Sequence, residues 1–112
     1  VPGNAIELEI PEGEGLPAPV VEGLINEGNV ILEWTPIEHA LFQGYKVVAS
    51  KTNPNPKYPE DGYLVYKTDY MDTRYESAVS NFESGKTYWF SITVLYTDGS
   101  KIPGNAVRLE IP

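Results

Sequence analysis

Between Asn81 and Gly99 the chain reads NFESGKTYWFSITVLYTDG, with Tyr88, Phe90, Ile92 and Val94 at every second position. That period turns one face of a β-strand into a core and sends Trp89, Ser91 and Thr93 to the other side. Ten glycines, ten prolines and eight tyrosines point to many short strands joined by turns. No segment keeps a helical period over about eleven residues. The chain is therefore expected to be all-β, and its 112 residues are enough for one domain.

Composition removes several kinds of function. Without cysteine there is no disulfide scaffold, thiolate zinc site or cysteine nucleophile, so stability must come from packing. A net charge of −8 disfavours nucleic acid and anionic membranes as partners, because both need a basic face. No apolar run reaches the roughly 18 residues of a membrane span, and no signal-peptide pattern is present.

Residues 1–11, VPGNAIELEIP, return as IPGNAVRLEIP at 102–112, with eight of eleven positions identical. The offset of 101 residues is about one β-sandwich domain, which predicts a tandem array. The first copy is then the terminal strand of a preceding repeat, and the chain an excised piece of a longer one. Ile6, Leu8 and Ile10, like Val107, Leu109 and Ile111, alternate as a strand with one buried face, opened by a Pro-Gly-Asn turn. Such a segment can pair with the sheet edge of its own or another copy. Residues 12–18 read as an acidic, Gly- and Pro-rich linker, and 19–112 as the domain.

Further strands are expected over Val20–Ile25, Asn29–Pro36, Gly44–Ser50, Tyr63–Thr68 and Thr73–Val79. In the second of these Val30, Leu32 and Trp34 share a face. In the third Tyr45, Val47 and Ala49 point inward while Lys46, Val48 and Ser50 point outward. Tyr75 is expected to face inward. Asp98-Gly99 marks a tight hairpin. Phe82 and the lead-in to Tyr88 look like a tyrosine corner, in which a strand tyrosine bonds back to upstream backbone.

Trp34 with Pro36, then Gly44-Tyr45-Lys46-Val47, then Phe82 six residues before Tyr88 together resemble the fibronectin type III domain. Trp34, Tyr45, Phe82 and Tyr88 are the signature positions. The resemblance implies an immunoglobulin-like β-sandwich of seven antiparallel strands, A-B-E against C′-C-F-G, here preceded by an extra N-terminal strand. It also implies no enzymatic activity, and it leaves the partner open because the fold hosts many functions.

The candidate sites are few. His39 is the single histidine, lies in a loop with no nucleophile elbow nearby, and is expected to be solvated. Glu60, Asp61, Asp69 and Asp72 could approach a calcium ion, but they lie where turn chemistry alone favours Asp, and no metal or cofactor is expected. The apolar B–C loop residues Ile37, Leu41 and Phe42 are expected to cap the core. The sharper candidate is aromatic: Trp89, Tyr63, Tyr66 and Tyr58 could form a platform for sugar rings or a partner protein. The favoured expectation for Trp89 is instead cover by the long loop 51–62, through Tyr58 or the prolines. The chain is read as a non-catalytic spacer and interaction module of a bacterial multidomain protein, extracellular or at the cell surface. Its expected partners are neighbouring repeats, with a polysaccharide or surface protein as a further candidate. The alternative is a carbohydrate- or cell-wall-binding accessory module of a polysaccharide-active enzyme.

Overall fold

A computed structural model describes residues 16–112, so the expected pairing of residues 1–11 lies outside the described residues. Eight strands follow one another there: β1 Val21–Asn26, β2 Asn29–Trp34, β3 Phe42–Ser50, β4 Val65–Lys67, β5 Arg74–Ala78, β6 Thr87–Tyr96, β7 Lys101–Pro103 and β8 Val107–Glu110. One antiparallel sheet has the order β1-β2-β5. The other runs β4-β3-β6, with both β7 and β8 paired to β6. This is the A-B-E against C′-C-F-G arrangement, with the last strand in two pieces.

The core forms where the inner faces of the two sheets meet. Val30, Leu32 and Trp34 face Tyr45, Val47, Phe90, Ile92, Val94 and Tyr96, all buried. Each such side chain contributes about 1.5–3 kcal/mol on burial. Trp34 meets Tyr45 edge-on at 5.5 Å between centroids. The Tyr45 hydroxyl donates to the Tyr70 carbonyl at 2.7 Å and accepts from the Ile37 N–H at 2.9 Å, which ties the B–C loop to the core. Ile37 is buried and Phe42 packs on Tyr45, whereas Leu41 stays exposed. Tyr75 is half-buried against the core.

The tyrosine corner is present. The Tyr88 hydroxyl accepts from the Glu83 N–H at 2.8 Å, and the Phe82 ring stands edge-on to Tyr88 and Phe90. The β1–β2 hairpin turns through Glu27 and Gly28, both at positive φ (52° and 81°), which matches the twist of its strands.

The break between β7 and β8 falls on Pro103-Gly104-Asn105. Proline has no N–H to continue the ladder. Gly104 donates to the Ile92 carbonyl at 2.8 Å, and a Cβ there would lie 2.4 Å from the Pro19 carbonyl oxygen. The Asn105 amide then crosses to β1. Its Oδ1 accepts from the Val21 N–H at 2.8 Å and its Nδ2 donates to the Val21 carbonyl at 2.9 Å. One side chain thus stands in for a strand partner and latches the last strand onto the opposite sheet. Ile111 completes the core beyond it.

Two expectations change. The strand expected over Tyr63–Thr68 shortens to Val65–Lys67, because Gly62 takes φ 69° and only the Leu64 N–H, donating to Val47 at 2.6 Å, joins the edge before it. His39 is half-buried rather than solvated. Its Nδ1 accepts from the Leu41 N–H, and its ring meets Tyr96 edge-on at 5.5 Å.

Candidate binding face

The outward side chains of β3 and β6 define this face: Lys46 and Val48 on one strand, Trp89, Ser91 and Thr93 on the other. Lys46 pairs across the sheet with Thr93 on one side and Tyr66 on the other, while Ser50 pairs with Trp89. Sequence alternation alone would leave this face wet. Instead Val48, Ser91 and Thr93 are fully buried and Lys46 is 8% exposed.

The cover is the loop 51–64. Ser91 Oγ donates to the Pro56 carbonyl, and Thr93 Oγ1 accepts from the Tyr58 N–H at 3.1 Å. Pro56, within the loop, is itself fully buried. The loop is in turn braced by Asp61, whose Oδ2 accepts from the Asn53 amide and the Lys57 N–H. Two hydroxyls spaced two residues apart on β6 therefore give the loop backbone its partners, and the face closes.

The loop delivers three tyrosines to one lysine. Lys46 Nζ lies 3.4 Å from the Tyr63 ring centroid, 4.3 Å from that of Tyr66 and 4.9 Å from that of Tyr58. Tyr58 and Tyr63 meet edge-on at 5.6 Å. Tyr66 reaches inward over Gly44, where a Cβ would fall 2.4 Å from its ring. Tyr63, Leu64 and Tyr66 are exposed by 51%, 45% and 38%, so the outer rim of the cage faces solvent. Among the described residues Lys46 forms no ion pair, and the three phenol hydroxyls make no hydrogen bond; the ring faces hold the ammonium.

Of the four aromatic residues named from sequence, Tyr58, Tyr63 and Tyr66 come together and Trp89 does not. Trp89 is half-buried four residues before Thr93 on β6, about 13 Å away at ~3.3 Å per residue. The residue that sequence reasoning missed is Lys46. Its outward direction was legible, but its place at the centre of the cage depends on how loop 51–64 folds back.

The acidic residues are used locally. Asp61 braces the loop, Asp69 Oδ1 accepts from the Met71 N–H, and Asp72 pairs with Lys67 at 3.1 Å. Among the described residues no three His, Asp or Glu side chains converge as a metal site would need.

The sheet order, the Trp34–Tyr45 core pair and the tyrosine corner define a fibronectin type III-like β-sandwich. Solved structures share it. The third fibronectin III domain of a human protein matches with a TM-score of 0.57 at 16% identity, over 88% of this chain and 86% of that one. A pectate lyase from Erwinia chrysanthemi, solved with tetragalacturonic acid, matches with a TM-score of 0.64 at 15% identity, over 82% of this chain. The spore cortex lytic enzyme of Clostridium perfringens matches with a TM-score of 0.63 at 18% identity, over 83% of this chain. This chain spans only 28% and 27% of those two enzymes. No family model and no curated protein matches the sequence.

Proposed function

We propose that the chain is a non-catalytic sandwich module serving as a spacer and protein-interaction unit, repeated in tandem within a multidomain extracellular or cell-surface protein. The observation that carries this reading is the duplicated segment. Its second copy supplies two of the three residues of β7, all of β8 and the core residue Ile111, and its Pro-Gly-Asn-Ala core is where Gly104 and Asn105 latch the two sheets together. The first copy repeats Pro-Gly-Asn-Ala unchanged at residues 2–5, so it carries the chemistry to close a preceding sandwich. Support for a non-catalytic role comes from His39 and the acidic turn residues, whose polar atoms serve local backbone and side-chain contacts.

The two asparagines provide the test. Asn105→Ala removes a paired hydrogen bond and is expected to cost about 1–3 kcal/mol in urea denaturation. Asn4→Ala is expected to leave the midpoint of this chain unchanged, because its sandwich is the preceding one. Equal costs at the two positions would refute the tandem reading.

A second reading is favoured by the tyrosine cage and by the neighbours: a carbohydrate-binding accessory module. Two similar structures are enzymes named for pectate and for spore cortex, and the similar portion is about a quarter of each. Retention on insoluble polysaccharide, lost in Tyr63→Ala and Tyr66→Ala, would support it. No retention by the unaltered chain would remove it.

A further inference from the structure

We infer that the tyrosine cage is a binding site for an acidic sugar, with Lys46 as the group that recognises its carboxylate; this rests on the carbohydrate reading above. A neutral sugar needs only exposed aromatic and apolar surface, which Tyr63, Tyr66 and Leu64 supply at the rim. The cage supplies something more. Lys46 Nζ is held within 5 Å of three ring centroids, and among the described residues no carboxylate lies within ion-pair distance of it.

A cation largely removed from water without an anion is costly to hold, and ring quadrupoles offset only part of that cost. The other charged contacts on this strip are already made: Lys67 pairs with Asp72, and Asp61 is turned into the loop. Among the described residues Lys46 is a buried cation without an anion, and the hydroxyls of the three tyrosines whose rings contact it make no hydrogen bond there. A sugar packed against the exposed rim of Tyr63 and Tyr66 and bearing a carboxylate would direct that charge at the ammonium beside their rings. A uronate unit has that combination: an apolar ring face, flanking hydroxyls and one negative charge. The chain's net charge of −8 works against non-specific attraction of anions, so affinity for an acidic glycan must arise from this local geometry.

The experiment titrates the full chain with oligogalacturonate, an uncharged gluco-oligosaccharide and a poly-glutamate peptide, followed by calorimetry and by tyrosine fluorescence. Oligogalacturonate is expected to bind at least tenfold more tightly than either of the others, and more weakly as salt rises. Lys46→Met keeps the stem in the cage and removes the charge. It is expected to weaken oligogalacturonate binding by roughly ten- to a hundredfold, the range of one charge-assisted hydrogen bond. It should leave any binding of the neutral sugar unchanged. Tyr66→Ala should weaken both sugars. If the neutral sugar binds as well as the acidic one, or Lys46→Met changes nothing, the Lys46 assignment is wrong while the carbohydrate reading stands. If poly-glutamate binds as tightly, the site reads charge alone and the sugar assignment is wrong. If no sugar binds, both readings fall.

Discussion

The two faces of the β4-β3-β6 sheet are closed by different means. The inner face is shut by the second sheet, and its residues Tyr45, Val47, Phe90, Ile92 and Val94 are apolar or aromatic and fully buried. The outer face is shut by a loop, and beneath it lie Lys46, Val48, Ser91 and Thr93. Burial is nearly equal on the two sides, yet the chemistry differs. Sheet-on-sheet packing needs only apolar side chains, because each sheet satisfies its own backbone. A loop brings unpaired backbone with it, so the strand beneath must offer polar partners. Ser91 and Thr93 do that, for Pro56 and Tyr58. The polar cover also lets a lysine remain at the edge of the face, which an inner face would not tolerate.

The comparison can be broken from either side. The largest effect is expected on the inner face, where Leu32→Ala should cost about 2–5 kcal/mol in urea denaturation through lost burial and a residual cavity. Thr93→Val keeps the shape but leaves the Tyr58 N–H without its acceptor, at a cost of about 1–3 kcal/mol. A neutral result would show that the loop is not held by this bond. The inner face also sets a limit at high pH. Burial, with the Tyr45 phenol and Asp98 nearby, pushes the Tyr96 hydroxyl up to about 12. The folded value lies above the ordinary tyrosine value of 10.0, so the unfolded chain loses its proton first. Stability present below about pH 10 should therefore fall as pH rises toward 12, and the fall should be shallower in Tyr96→Phe. Tyr88→Phe removes the bond to the Glu83 N–H and should cost about 1 kcal/mol. Tyr63→Ala, on the exposed rim, should cost only about 0.5–1 kcal/mol by thermal melting, because two other rings still hold Lys46.

The same contrast explains what could be read from the sequence. The period of two along residues 88–94 and 30–34 identified the inner face residue by residue, because a strand packed on a strand must alternate. Trp34, Tyr45, Phe82 and Tyr88 could be placed for the same reason: each acts within or beside a regular strand. The outer face could be read only as a direction. Lys46 and Val48 point outward as expected, but their burial follows from a loop whose path is set by turns and by two side-chain-to-backbone bonds. The break of the last strand at Gly104 was also hidden, since it arises from a close approach of Pro19, 85 positions earlier in the chain. Trp89, the most conspicuous outward aromatic residue in the sequence, lies beyond the stretch that the loop covers with Tyr58.

The tyrosine cage can be tested most directly by NMR of the Lys46 side chain. Three rings around Nζ should shift the Lys46 ε-methylene protons upfield of those of every other lysine, and Tyr66→Ala should move them partly back. Lys46 resonances at ordinary exposed-lysine positions, unmoved by that substitution, would contradict the account of the outer face.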